Sequence, residues 1–287
     1  MKPIKVLKNR SDIGAGTRGS DMGIDALEIA AINSESDFFN RHPYIDIPTH
    51  NETVYNKVQN STAKRLNFVT AQCERVKSAT SQTLLDDFFP LILSGDHSSA
   101  LGSLSGIKSA FPSKTIGAVW IDAHADLHSP FSTPSGNVHG MPLGFLTGLD
   151  EYEGFSFIKN TLPFQNLLYV GLRDIDHYEQ NILNTCNIEQ ITSEEVNKNP
   201  TKVIQTIQDF IDNKTFHLSF DVDCMDPSIM SSTGTPVENG ILLKPMKKVL
   251  RNIMNSNKMV NMDITELNLE LGDNHKSLRN LLYLFTP

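Results

Sequence analysis

The sequence predicts an α/β fold, three-layered as α/β/α, with a central, mostly parallel sheet. Three observations carry this. Short apolar runs alternate with longer helical patterns along the chain, the alternation of parallel strands joined by helical crossovers. Such a sheet needs helices on both faces to cover it. No internal repeat, low-complexity stretch or Pro/Ser-rich linker divides the 287 residues, so residues 1–287 are expected to form a single domain. The elements follow in order. Residues 4–7 read as a strand. A loop with Gly14, Gly16 and Gly19 leads to a helical pattern over 21–31. Residues 62–89 form a long stretch free of Gly and Pro, read as helix. Strands are expected at 90–93, 116–121, 167–171, 217–220 and 259–264, and helices at 98–110, 200–212 and 245–255. Two long loops rich in Gly, Pro and Ser, 131–142 and 227–239, each follow a strand that ends in acids. In an open α/β sheet ligands gather beyond the carboxyl ends of the strands.

Composition narrows the function classes. The chain has 33 acidic residues against 25 Lys and Arg, a net charge of −8. That balance, with no basic tract, argues against nucleic-acid partners. No apolar run reaches the roughly 18 residues of a membrane span. No leader-like apolar segment follows Met1. Cys73, Cys186 and Cys224 make neither a CxxC pair nor an even disulfide framework. A soluble, cytoplasmic protein without membrane or nucleic-acid partners is expected.

Three local patterns carry chemistry. Four of the nine histidines, His97, His124, His128 and His139, fall within one short region. LSGDHSS places His97 after a strand. WIDAHADLH places Asp122, His124 and Asp126 at alternate positions, which share a direction if the segment stays extended or turns favourably. SFDVDCMDP places Asp221 and Asp223 at the end of another strand. Together these are two imidazoles and four carboxylates. Four carboxylates cannot share a dry cleft unless something neutralises them. Two divalent cations would, and an oxygen-rich set with some imidazole suits Mn²⁺, with Co²⁺ or Fe²⁺ as alternatives. Two such ions about 3.5–4 Å apart lower the pKa of a water between them.

These motifs resemble those of the ureohydrolase family, the arginases, agmatinases and their relatives. GDHS, DAHAD, SFDVDxxDP and the late DITE occur in family order, and the likeness runs from residues 12–27 to 263–266. The resemblance implies a three-layer α/β/α fold. It implies His97, Asp122, His124, Asp126, Asp221 and Asp223 as ligands of a two-manganese cluster, with Asp126 among the catalytic residues. It implies hydrolysis of a guanidinium group to urea and an amine by a metal-bridging hydroxide. By the same resemblance Glu266 is the guanidinium-binding carboxylate, suited to two parallel hydrogen bonds. His139, in NVHGMP, is the proton-transfer histidine. Thr235, in TGTP, lies near the guanidinium.

Within the family the likeness is strongest to the arginase branch, which implies L-arginine as substrate. The SGNxHG loop resembles one that holds an α-carboxylate; it carries Thr133, Ser135 and Asn137. GLRDIDHYEQ resembles the segment that meets the α-amino group; Asp176 matches the contact, Asp174 supports it and Glu179 contributes at longer range. His128 departs from the family, standing where an Asn that helps bind the carboxylate is usual, and Cys224 stands for a common Gly. Hydrolysis of another guanidino compound, such as agmatine or guanidinobutyrate, and a non-catalytic metal-binding homologue are the alternatives. A homo-oligomer, trimer or hexamer, is also implied.

Overall fold

The structure is a computed structural model that describes residues 2–149, 155, 157–158 and 162–285. In chain order the elements are β1 (Ile4–Asn9), α1 (Gly23–Asn33), α2 (Phe38–Arg41), β2 (Tyr44–Asp46), α3 (Leu66–Leu85), β3 (Phe89–Ser94), α4 (Ala100–Ala110), β4 (Ile116–Ile121), α5 (Pro142–Thr147), β5 (Leu167–Leu172), α6 (His177–Thr185), β6 (Glu189–Thr192), α7 (Ser193–Lys198), α8 (Pro200–Ile211), β7 (Thr215–Asp221), α9 (Leu243–Met254), β8 (Met259–Thr265) and α10 (Asn274–Phe285). The eight strands form one sheet in the order β2-β1-β3-β8-β7-β4-β5-β6. Every pairing among them is parallel.

Alternation along the strands divides the core into two layers. Val119 and Ile121 of β4 and Leu168 and Val170 of β5 face α1 and α7 to α10. Ile116, Ala118 and Trp120 with Leu167 and Tyr169 face α3 to α6. Both β4 and β5 are therefore buried from end to end, as central parallel strands are. The three-layer α/β/α expectation holds.

Some boundaries move. The helix expected over 62–89 begins at Leu66, because Arg65 takes a left-handed conformation at its N-cap, and ends at Leu85; Phe89 already belongs to β3. Its buried face, with Cys73, Val76 and Thr80, packs so closely on α4 that a Cβ at Gly102 would lie 2.5 Å from the Cys73 carbonyl oxygen. The short edge strands β2 and β6 and the helices α2, α5, α6, α7 and α10 were not among the expected elements.

Candidate active site

The carboxyl ends of five adjacent strands, β3, β8, β7, β4 and β5, open on one cleft. His97 follows β3, Glu266 follows β8, and Asp221 and Asp223 close β7. Asp122, His124 and Asp126 follow β4, and Asp174 and Asp176 follow β5. The alternating positions after β4 do not stay extended. The strand ends at Ile121, and Asp126 sits at φ 53, a left-handed backbone that turns its carboxylate back toward His97. Glu266 sits at φ 65. Non-glycine residues seldom adopt this region, and they do so where surrounding contacts hold them.

The six candidate ligands form two groups. Nδ1 of His97 lies 3.1 Å from a carboxylate oxygen of each of Asp122, Asp126 and Asp221. Nδ1 of His124 lies 3.0 Å from Asp223 and 3.5 Å from Asp122. Asp122 belongs to both: Oδ2 faces His97 and Oδ1 faces His124. Asp122, Asp126, Asp221 and Asp223 are all at most 6% exposed. Despite this crowding, Nδ1 of His97 and Oδ2 of Asp126 have no hydrogen-bond partner. One ring nitrogen cannot satisfy three carboxylates, whereas a cation between them can. The donor set, imidazole nitrogen and carboxylate oxygen without thiolate, fits a pair of divalent ions.

Electrostatics agree with that fit. Burial opposes charge on His97 and His124, but the surrounding carboxylates outweigh it and hold both imidazoles well above the usual histidine range. Burial and the neighbouring Asp122 push Asp126 up to about 6. Burial and Asp223 push Asp221 up as well. Without a cation, protons must balance the buried carboxylates.

Several groups that the sequence did not single out hold this centre. The only tryptophan in the chain, Trp120, stacks on the His97 ring with centroids 4.2 Å apart. Its Nε1 donates to Asp122 at 3.0 Å. The other nitrogen of His97 meets the Ser219 hydroxyl at 2.7 Å, and Ser219 donates to the buried Asp263. Such outer partners fix a ligating ring's tautomer and orientation. Arg173, within the GLRD motif, donates to the carbonyl oxygens of Asp223, Cys224 and Val237 and so ties together the two sides of the loop after β7. Asp96 accepts from the backbone of Gly14 and Ser98, joining the early glycine loop to β3. The lone Trp two residues before Asp122 and the Arg directly before Asp174 were present in the sequence; their contacts were not.

Above the two groups lies a cavity of about 240 Å³. His128, His139, Asp174, Asp176, Glu179, Thr235 and Glu266 all line it. Oε1 of Glu266 lies 3.0 Å from Nδ1 of His139 and accepts from the His97 backbone at 2.8 Å. Burial would lower His139, but the Glu266 carboxylate prevails and raises it to about 9. Thr235 donates to Asp223 at 2.9 Å. His128 reaches Asp176 at 3.2 Å, stacks on Tyr178, and stands 4.0 Å from Glu179. Glu179 is nearly buried, and burial raises it to about 7. Thr133, Ser135 and Asn137 are not among the cavity-lining residues; they sit on the loop at its rim. Thr133 accepts from Gly136, Ser135 accepts from Asn137, and the Asn137 amide oxygen accepts from Lys64.

A sequence model of the arginase family matches residues 4–282. The chain belongs to the arginase family. Among its relatives, Arginase-1 of Homo sapiens is 33% identical over 239 residues, covering 80% of this chain and 71% of that protein. The arginase of Staphylococcus aureus strain COL is 29% identical over 99% of this chain and 95% of its own length. The arginase of Glaciozyma antarctica is 41% identical over 63% of this chain, a match that spans only about half, 54%, of that relative. The crystal structure of the Entamoeba histolytica arginase in complex with L-ornithine superposes with a TM-score of 0.90 at 27% identity, covering 98% of this chain and 96% of that one. The arginase fold thus accounts for the whole sheet and its helices. No described helix of this family member is long and apolar enough to cross a membrane.

Proposed function

We propose that residues 1–287 act as one catalytic domain, an arginase that hydrolyses L-arginine to L-ornithine and urea. The observation that carries the reading is the pairing of His139 with Glu266 at 3.0 Å, in the same cavity as the unpartnered His97 and Asp126 atoms. His97, Asp122, Asp126 and Asp221 would hold one ion, and Asp122, His124 and Asp223 a second, Mn²⁺ by the donor chemistry. When bound, such a pair supplies a water acidic enough to act as nucleophile near neutral pH.

The protein's own groups do the rest. Glu266 receives the guanidinium through charge-assisted hydrogen bonds. His139, 3.0 Å from that carboxylate, is placed to give a proton to the leaving amine. Asp176 and Asp174 on one rim, with Glu179 behind His128, supply negative charge for the α-ammonium. Thr133, Ser135 and Asn137 on the facing loop supply neutral donors for the α-carboxylate, and Thr235 holds Asp223 in place. The L-ornithine held by the Entamoeba relative supports an amino-acid head group. The reading carries with it a cytoplasmic location and a homotrimer or homohexamer.

The test is urea release by Mn²⁺-loaded protein given L-arginine and agmatine in parallel. Turnover of L-arginine with agmatine ignored is expected. Turnover of agmatine alone would transfer the assignment to another guanidino hydrolase, and urea from neither would sink the catalytic reading.

A further inference from the structure

We infer that Lys64 is a specificity-determining positioning residue: it holds and polarises the amide of Asn137 and places positive charge where the substrate's α-carboxylate docks. The inference rests on the L-arginine reading above.

The geometry starts from a backbone contact. The amide N–H of Lys64 donates to the carbonyl oxygen of Gly136 at 2.8 Å. Gly136 has φ +74, and a Cβ there would lie 1.9 Å from the Ser61 carbonyl oxygen. The segment before α3 is thus seated directly on the rim loop, which only glycine permits at this point. From that anchor the Lys64 side chain reaches back, and its ammonium donates to Oδ1 of Asn137 at 3.2 Å.

Two consequences follow. An ammonium has only donors, so it fixes Oδ1 of Asn137 as the acceptor and makes the NH₂ end, which packs beside Gly16, the donor. A hydrogen bond from a cation also polarises the amide and strengthens its N–H groups as donors. The second consequence is one of charge. The described cavity lining holds Asp174, Asp176 and Glu179 on one side and no Lys or Arg. A carboxylate entering it is repelled by that rim. Lys64 sets a cation against the loop on the other side, so the rim is negative toward an α-ammonium and positive toward an α-carboxylate. Agmatine, which lacks the carboxylate, gains nothing from Lys64.

The experiment uses the full, Mn²⁺-loaded chain and its Lys64→Gln and Lys64→Arg variants. Steady-state urea release gives kcat and KM for L-arginine, and calorimetry gives the binding of L-ornithine and of putrescine. Lys64→Gln is expected to raise the KM for L-arginine about fivefold, with kcat within about twofold, as suits one partly exposed charge. L-Ornithine binding should weaken in step, putrescine binding should not, and Lys64→Arg should restore most of the loss. In the wild type, the KM for L-arginine should rise with NaCl as the charge is screened, and rise less in Lys64→Gln. An unchanged KM overturns the inference while the arginase reading stands. So does a fall in kcat alone, or an equal loss of putrescine binding, since either marks a merely structural lysine. A wild type that makes no urea from L-arginine overturns the reading itself, and the inference with it.

Discussion

At the residue scale, the candidate centre depends on conformation as much as on identity. Asp122, His124 and Asp126 were legible as candidates because their alternation directly follows an apolar run. The left-handed backbone at Asp126 was not, because an aspartate does not announce one as a glycine does. That backbone is what brings Asp126 to 3.1 Å from His97. It also dictates which substitution is informative. Alanine in this region adds strain to the loss of a ligand, whereas asparagine tolerates the left-handed region and keeps the shape. Asp126→Asn is therefore expected to fold with an unchanged circular dichroism spectrum while losing metal. Urea release should fall by more than the roughly 10–100-fold that loss of a supporting outer group costs. Metal analysis of the dialysed variant is the check, and full activity at wild-type metal content would remove Asp126 from the ligand set. Lys64 on Asn137, Arg173 on the Asp223 carbonyl and Trp120 stacked on His97 show the other side of legibility: each acts through a contact made only when distant segments meet.

At the element scale, the central strands were readable and the edges were not, for one physical reason. A central parallel strand is covered on both faces and must be apolar throughout, as β4 and β5 are. An edge strand has one neighbour and needs little apolar surface. β2 is only three residues, Tyr-Ile-Asp, with none buried, and β6, Glu-Gln-Ile-Thr, buries Ile191 alone. α6 escaped for a related reason: its residues are mostly polar, and its start is set by a cavity-lining acid. Asp176 is the N-cap of α6, its Oδ1 accepting from the Glu179 backbone at 2.9 Å while Oδ2 faces His128 at 3.2 Å. One side chain thus starts the helix and charges the pocket rim, and two substitutions separate the roles. Asp176→Asn keeps a capping oxygen and should leave the melting temperature within about 1 °C, since Asn and Asp cap alike. It removes the charge and should raise the KM for L-arginine about tenfold, the scale of one charge-assisted hydrogen bond. Asp176→Ala should show the same KM and lose about 1 kcal/mol of stability besides. Thermal melts beside steady-state kinetics decide it; an unchanged KM in Asp176→Asn would confine the residue to capping.

At the scale of the whole molecule, the parallel sheet converges the ends of five strands on one cleft, and the charge gathered there couples the site to the stability of the fold. In the metal-free protein, burial and mutual repulsion raise Asp126 to about 6, and burial raises Glu179 to about 7 and Asp12 to about 6. His139 is raised to about 9, and His97 and His124 well above the usual histidine range. Between pH 6 and 8 the folded state therefore holds more protons than the unfolded chain, and stability falls as pH rises. His42 and His128, lowered by burial, oppose this trend within the window but are outnumbered by the raised groups. The buried carboxylates shifted down, Asp122, Asp263 and Glu266, lose their contribution only below the ordinary carboxylate range, outside it. A divalent ion reverses the dependence, because it takes the place of those protons and meets less competition as pH rises. In chelator, the melting temperature should fall from pH 6 to pH 8. With Mn²⁺ fixed at about a hundredfold over its Kd at pH 8, the gain there is about 2.7 kcal/mol for each ion bound, or roughly 5–10 °C per ion for a chain of this size. That gain should be larger at pH 8 than at pH 6. Trp120, in contact with both His97 and Asp122, gives an independent signal, since its fluorescence should change on the same titration. Equal melting temperatures with and without Mn²⁺ at pH 8, or a metal-free melt that rises from pH 6 to 8, would mean that the carboxylates are balanced by something other than a bound cation.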